Sequence, residues 1–118
     1  MRRVVITGMG AITPLGNTVA DTWSAVKAGK SGIGPITQFD ASINKVHYAA
    51  EVKNFDPALY MDSKDARKMA RFTQFGVAAA KMCLEDSGLL GNAEVLDETG
   101  VILGVGIGGL EVTESSML

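Results

Sequence analysis

The sequence predicts an α/β fold, on three observations. Val4-Val5-Ile6-Thr7 stands just ahead of Gly8 and Gly10, Val101-Ile102-Leu103-Gly104-Val105 lies near the other end, and Phe72 to Ser87 carries apolar residues at helical spacing. Short runs rich in β-branched residues and bounded by glycine read as buried strands, while a 3.6-residue apolar period reads as a helix. With the weaker elements added, the order is β-α-β-α-β, strands alternating with helices as in layered α/β domains.

Arg3 to Thr7 forms the first predicted strand. After Thr13-Pro14-Leu15-Gly16, Thr18 caps a helix with Asp21 three positions on, close to a capping box; Val19, Trp23 and Val26 are its expected core residues and Gly29 its terminator. Gly, Ser and Pro mark Lys30 to Asp40 as a loop, and Val46 to Val52 reads as a weaker second strand. Asp56-Pro57 reads as a turn or short-helix start. Asp62, with Asp65 three residues later, opens a short helix expected to reach about Ala70.

In the long helix Phe72, Phe75, Gly76, Ala79, Met82 and Cys83 make one stripe, widened by Val77, Ala80 and Leu84. Only Gln74, Ala78, Lys81 and Glu85 remain as a narrow wet edge, so the helix is expected to be covered on most of its circumference. Gly88 ends it. A polar loop from Gly91 to Glu98 leads to the last predicted strand, and a helical pattern starting near Leu110 stops at Leu118 with neither glycine nor cap. The expectation is that the chain continues.

One core is what 118 residues allow, since a globule of this length buries roughly two-thirds of its unfolded surface. The 47% hydrophobic content together with 14 glycines exceeds the usual apolar share, which predicts surface meant for covering. A formal charge of −2, from 11 basic and 13 acidic residues, gives the whole chain no electrostatic reason to bind nucleic acid or an anionic membrane. With one cysteine and one histidine, an internal disulfide and an all-protein Cys/His zinc site are both excluded. The apolar run after Met1-Arg2-Arg3 is too short for a signal peptide or a membrane span, and a cytoplasmic setting is expected.

Two glycine clusters follow predicted strands and raise the question of a phosphate site. Gly8-Met9-Gly10 lacks the third glycine of the dinucleotide fingerprint, because Thr13 stands there and Pro14 follows. Gly104, Gly106 and Gly109 satisfy G-x-G-x-x-G, yet the acidic ribose partner expected about 20 residues later would lie past Leu118. A nucleotide-binding α/β domain therefore stays open as an alternative beside a structural glycine turn. Cys83 lies on the apolar stripe, where burial raises a thiol pKa and blocks access, and His47 has no predicted carboxylate or thiol neighbour. Neither is read as catalytic.

Lys64, Arg67, Lys68 and Arg71 recur at i, i+3, i+4 and i+7, a basic stripe along the short helix. Two readings apply: a solvated face, or a surface receiving an acidic helix or a phosphate. Arg supplies forked carboxylate contacts and Lys a movable point charge, and such exposed contacts act mainly on encounter rate.

Taken together and in order, Arg3-Val4-Val5-Ile6-Thr7-Gly8-Met9-Gly10, Thr13-Pro14-Leu15-Gly16-Asn17, Trp23, Ser31-Gly32-Ile33, Arg67-Lys68-Met69, Arg71-Phe72-Thr73-Gln74, Leu84-Glu85-Asp86-Ser87-Gly88 and Gly104-Val105-Gly106-Ile107-Gly108-Gly109 resemble the β-ketoacyl-[acyl carrier protein] synthases, and within them the synthase II kind of bacterial fatty-acid synthesis. The resemblance implies a partial thiolase-like layered α/β/α/β/α fold, with residues 1–118 an incomplete N-terminal portion of the ketosynthase N-terminal domain. It implies decarboxylative condensation of acyl and malonyl-[acyl carrier protein] by a homodimeric acyltransferase, through a cysteine at a helix N-terminus and two histidines that Cys83 and His47 do not match. No catalytic residue and no metal ligand is then expected in this chain.

Further implications follow from the same resemblance. Lys64, Arg67 and Lys68 match carrier-protein docking positions, Arg71 being only a charged neighbour, and Ile107 matches the residue that gates the acyl pocket. No cofactor is implied beyond the phosphopantetheine that arrives on the acyl carrier protein. The alternative within the family is a non-catalytic, chain-length-factor-like partner that binds carrier protein or subunit.

Overall fold

The computed structural model describes residues 3–117. Met1 and Arg2, ahead of the first predicted strand, and Leu118, where the last helical pattern stops, lie outside the described residues. Two compact units make up the chain, one of residues Ala11–Phe55 and the other of the N-terminal residues to Gly10 with Asp56 onward.

The Ala11–Phe55 unit begins with a tight turn in which the Thr13 and Gly16 backbones exchange hydrogen bonds of 2.9 and 3.2 Å. Thr22 fastens it, its hydroxyl lying 2.9 Å from that of Thr13 and donating to the Gly16 carbonyl at 3.3 Å. Helix α1 (Val19–Lys27) starts as its sequence predicts: the Thr18 hydroxyl accepts from the Asp21 N–H at 3.0 Å and donates to the Asp21 carboxylate at 2.8 Å. It ends as predicted too, because Gly29 adopts φ +63° and lets Gly29 and Lys30 donate to the carbonyls of Val26 and Ala25. The side it buries differs from expectation. Ala25 is buried whereas Trp23 is 59% exposed and Val26 is exposed, so of the predicted core stripe only Val19, half-buried, is covered.

Strand β1 (Ile33–Pro35) pairs antiparallel with β2 (Tyr48–Ala50), with Gly34 opposite Ala49. The second strand is the expected one, although shorter than its sequence suggests; the first falls in the segment that reads as loop, where glycine and proline mask a three-residue edge pairing. Glu51 braces the following loop, its carboxylate accepting from the Thr37 N–H and hydroxyl and from the Gln38 N–H at 2.7–3.2 Å. Asn17 donates to the carbonyls of Lys53 and Asn54 at 3.0 and 3.1 Å, holding a turn in which Asn54 has φ 54°. The Asp40 carboxyl lies below the ordinary carboxylate range, because the Ser42 N–H and hydroxyl bond to it.

The second unit is organised on α3 (Arg71–Asp86), the long helix the apolar period predicts. Gly88, at φ +71°, ends it with the same two-bond motif, Gly88 and Leu89 donating to Glu85 and Leu84. Its predicted stripe is covered in part, Phe75, Ala79, Met82, Cys83 and Leu84 being half-buried, but Ala78, placed by the sequence on the wet edge, is 0% exposed, while Gly76, Val77 and Ala80 face solvent. Before α3 stand a single 3-10 turn (Pro57–Leu59), capped by Asp56, and helix α2 (Ser63–Ala66). Here α2 is shorter than the expected helix, the chain turning through Arg67–Met69 before α3 begins. After α3 come α4 (Ala93–Asp97), which stands where the sequence suggests polar loop and starts on the Asn92 side chain, and α5 (Leu110–Met117).

Neither long apolar run lies in a ladder. Residues 3–7 and 101–105 pair with no strand among the described residues, and Val4 and Ile102 are 96% and 98% exposed. A strand is held by hydrogen bonds to a neighbour, and without one its periodicity cannot express itself. What seats the N-terminal segment instead is a close approach to α3. A Cβ added at Gly10 would lie 1.9 Å from the Ala79 carbonyl oxygen, and one at Gly8 would lie 2.4 Å from that of Cys83, so only glycine fits. Met9 N–H donates to the Asp86 carboxylate at 2.9 Å and the Cys83 thiol to the Gly8 carbonyl at 3.3 Å.

The only buried hydrophobic residues among those described are Ala25, Ala66 and Ala78, and no large side chain is fully buried. No helix of the described residues is long and apolar enough to cross a membrane.

Packing this sparse has measurable consequences. The purified 118-residue chain is expected to melt over a broad range or to self-associate in analytical ultracentrifugation; a sharp monomeric calorimetric transition would contradict it. Gly10→Ala, which collides with backbone that has little room to yield, is expected to destabilise a full-length protein carrying this segment by more than Thr18→Ala, whose lost cap costs about 1 kcal/mol, in urea titrations of the two variants.

Candidate functional site

The predicted site residues fall on the second unit, at the α2–α3 corner and in the glycine loop before α5. At the corner, Asp62 begins α2 by accepting from the Lys64 N–H at 2.7 Å, the local capping its sequence position predicts. One helical turn is a poor structure by itself, since nucleation costs more than one turn returns. Contacts around it compensate: α2 packs against the 3-10 turn, Ala66 is buried, and Arg67 Nε donates to the Ser63 carbonyl at 3.2 Å.

Lys64, Arg67 and Lys68 are all exposed at this corner, but only Lys64 stands on α2, Arg67 and Lys68 lying in the turn that follows it, so the continuous helical stripe that the spacing predicts does not form. Arg71 departs from the predicted stripe because it opens α3 and not the short helix, and its guanidinium lies over the Phe75 ring, 5.0 Å from the centroid. An open concavity of about 470 Å³ runs beside the trio, lined by Asp56, Pro57, Ala58, Ser63, Ala66, Arg67 and Gln74. Gln74, which the periodicity assigns to the wet edge, is half-buried. Its side-chain amide donates to the carbonyls of Ala66 and Met69 at 2.8 and 3.3 Å.

The glycine loop presents Ile107, 84% exposed. Gly104 and Gly106 border open space, whereas Gly108 and Gly109 lie against the Phe72 ring, within 2.7 and 3.0 Å of where a Cβ would stand. Gly109 has φ +71° and α5 starts at the next residue, with Glu111 in its first turn. A phosphate would meet a carboxylate there, and an aromatic ring occupies the side on which the fingerprint's last glycines sit, so the arrangement is a packing turn. Cys83 is half-buried with its thiol on the Gly8 carbonyl, and exposed His47 flanks β2, its carbonyl accepting from the Ile36 N–H at 3.0 Å.

The family described as beta-ketoacyl synthase, N-terminal domain, matches residues 1–118. The proteins named 3-oxoacyl-[acyl-carrier-protein] synthase 2 of Synechocystis sp. and Vibrio cholerae are 49% and 52% identical to this chain over 96% and 97% of it. The protein of that name from Coxiella burnetii is 51% identical over 98%. The chain spans 27–28% of the length of these curated relatives. A solved structure, that of the ishigamide ketosynthase/chain length factor, superposes with a TM-score of 0.69 at 40% identity, covering 75% of this chain and 22% of that one.

The basic trio yields a direct test. In a protein that carries this segment, Lys64→Glu or Arg67→Glu is expected to weaken binding of an acidic partner by about tenfold or more at low salt, the loss shrinking as salt screens it; surface plasmon resonance at two ionic strengths measures both.

Proposed function

Because this chain belongs to the beta-ketoacyl synthase family, over its N-terminal domain, we propose that it serves in the decarboxylative condensation of acyl and malonyl-[acyl carrier protein], as part of a longer, homodimeric cytoplasmic enzyme of fatty-acid elongation. The fold of the family is thiolase-like α/β, and this segment supplies scaffold, docking face and pocket wall. The observation that carries the reading is the 49–52% identity, across nearly the whole chain, to proteins named for that carrier-protein-dependent synthesis.

Chemically, loss of carbon dioxide from the malonyl group leaves an enolate that attacks an enzyme-held acyl thioester, a hard step divided in two by covalent catalysis. The thiolate and the groups that steady the enolate come from polypeptide beyond this segment; Cys83, spent on the Gly8 carbonyl, is unsuited to the first role. Lys64, Arg67 and Lys68 receive the acidic carrier protein, which brings its own phosphopantetheine, and Ile107 bounds the acyl pocket. The neighbouring Phe72–Gly108 contact supports the last role by holding the loop that presents Ile107.

A second reading draws support from the likeness to a ketosynthase/chain length factor: a chain-length-factor-like subunit that binds carrier protein without catalysing condensation. The complete reading frame, expressed and incubated with radiolabelled acyl-[acyl carrier protein], is expected to retain label as a thioester and to release elongated product on adding malonyl-[acyl carrier protein]. Binding without label transfer would replace the first reading with the second. Ile107→Phe in the same enzyme is expected to suppress elongation of longer acyl chains severalfold relative to short ones, and an unchanged product-length distribution would remove Ile107 from the pocket.

A further inference from the structure

We propose that Gln74 is the positioning residue of the docking corner, an inference that rests on the docking reading of Lys64, Arg67 and Lys68. The problem it solves is set by α2. Four residues make one turn, and the last carbonyls of any helix lack partners within it. At this end the buried Ala66 carbonyl accepts one backbone bond, from the Met69 N–H at 3.2 Å, which leaves its second lone pair with little water to turn to, and Met69 is half-buried.

Gln74 reaches back from α3 to both. Its acceptors are two carbonyl oxygens, so the group facing them is the amide nitrogen, which has two protons to give. The fork holds the turn on both sides of Arg67 and Lys68, at Ala66 ahead of them and Met69 after them, while the Asp62 cap fixes the backbone at Lys64. Gln74 itself touches none of the incoming partner's charge; it decides where the cations are held, and it lines the concavity beside them together with Ser63 and Arg67. A partner helix that must meet three flexible side chains binds best when the backbone carrying them is already ordered.

The test uses the full-length enzyme with Gln74→Met, which keeps length and helix propensity but removes both donors. Expected is a rise of about fivefold in KM for acyl-[acyl carrier protein] with kcat little changed, the effect of one lost hydrogen-bond pair on order. Kinetics with a carrier-free acyl thioester should be unaltered. Amide hydrogen exchange over residues 64–69 should quicken in the variant while that of α1 stays as in the parent.

Equal losses with both acyl donors would make Gln74 an ordinary structural residue and overturn the proposal, as would an unchanged carrier-protein KM. If Lys64→Glu and Arg67→Glu also leave that KM unchanged, the docking reading falls and takes the proposal with it. If they raise it while Gln74→Met does not, only the positioning role is lost.

Discussion

Helix α3 is the support on which the rest of its unit leans. Three separate segments reach it by different physics: the Gly8–Gly10 backbone by approach closer than any side chain permits, the Gly108–Gly109 turn by contact with the Phe72 ring, and the end of α2 by the Gln74 amide. The first two require glycine, and the third requires a donor of the length glutamine has. Sixteen residues of helix hold their own hydrogen bonds, which is why α3 can serve as the reference to which less self-sufficient pieces are attached.

The two glycine clusters, alike in sequence, are therefore used for packing. The second satisfies the dinucleotide fingerprint and the first does not, yet protein closes on each: carbonyls of α3 on Gly8 and Gly10, an aromatic ring on Gly108 and Gly109. Glycine spacing reports that something approaches the backbone closely, but not whether that is a pyrophosphate or a neighbouring helix.

The apolar content left uncovered has a functional reading as well. Val4, Ile6, Ile102 and Leu103 stand largely exposed, and in a chain spanning about a quarter of its relatives' length their companions belong, on the proposed function, to polypeptide that follows. The corner between α2 and α3 is different in kind, built from local capping, one reaching amide and three exposed cations within a few turns of chain.

Legibility in the sequence follows the range of the interactions involved. Thr18, Asp62, Gly29 and Gly88 begin or end helices as their positions predict, because a cap is decided by residues within about four positions of itself. That Lys64, Arg67 and Lys68 fall close together along the chain is legible too, although α2 ends at Ala66 and the helical stripe predicted for them does not form. Which side of α3 is buried is not: Ala78 and Gln74 turn inward while Val77 turns out, since burial depends on what arrives from elsewhere in the chain. That residues 3–7 and 101–105 join no ladder among the described residues likewise lies beyond the reach of sequence, a β-ribbon being a property of two segments and not of one. Local propensity lay in the order of residues; the choice of faces and partners belonged to tertiary contacts, because hydrogen-bond ladders and apolar burial need a second surface that no single stretch of sequence contains.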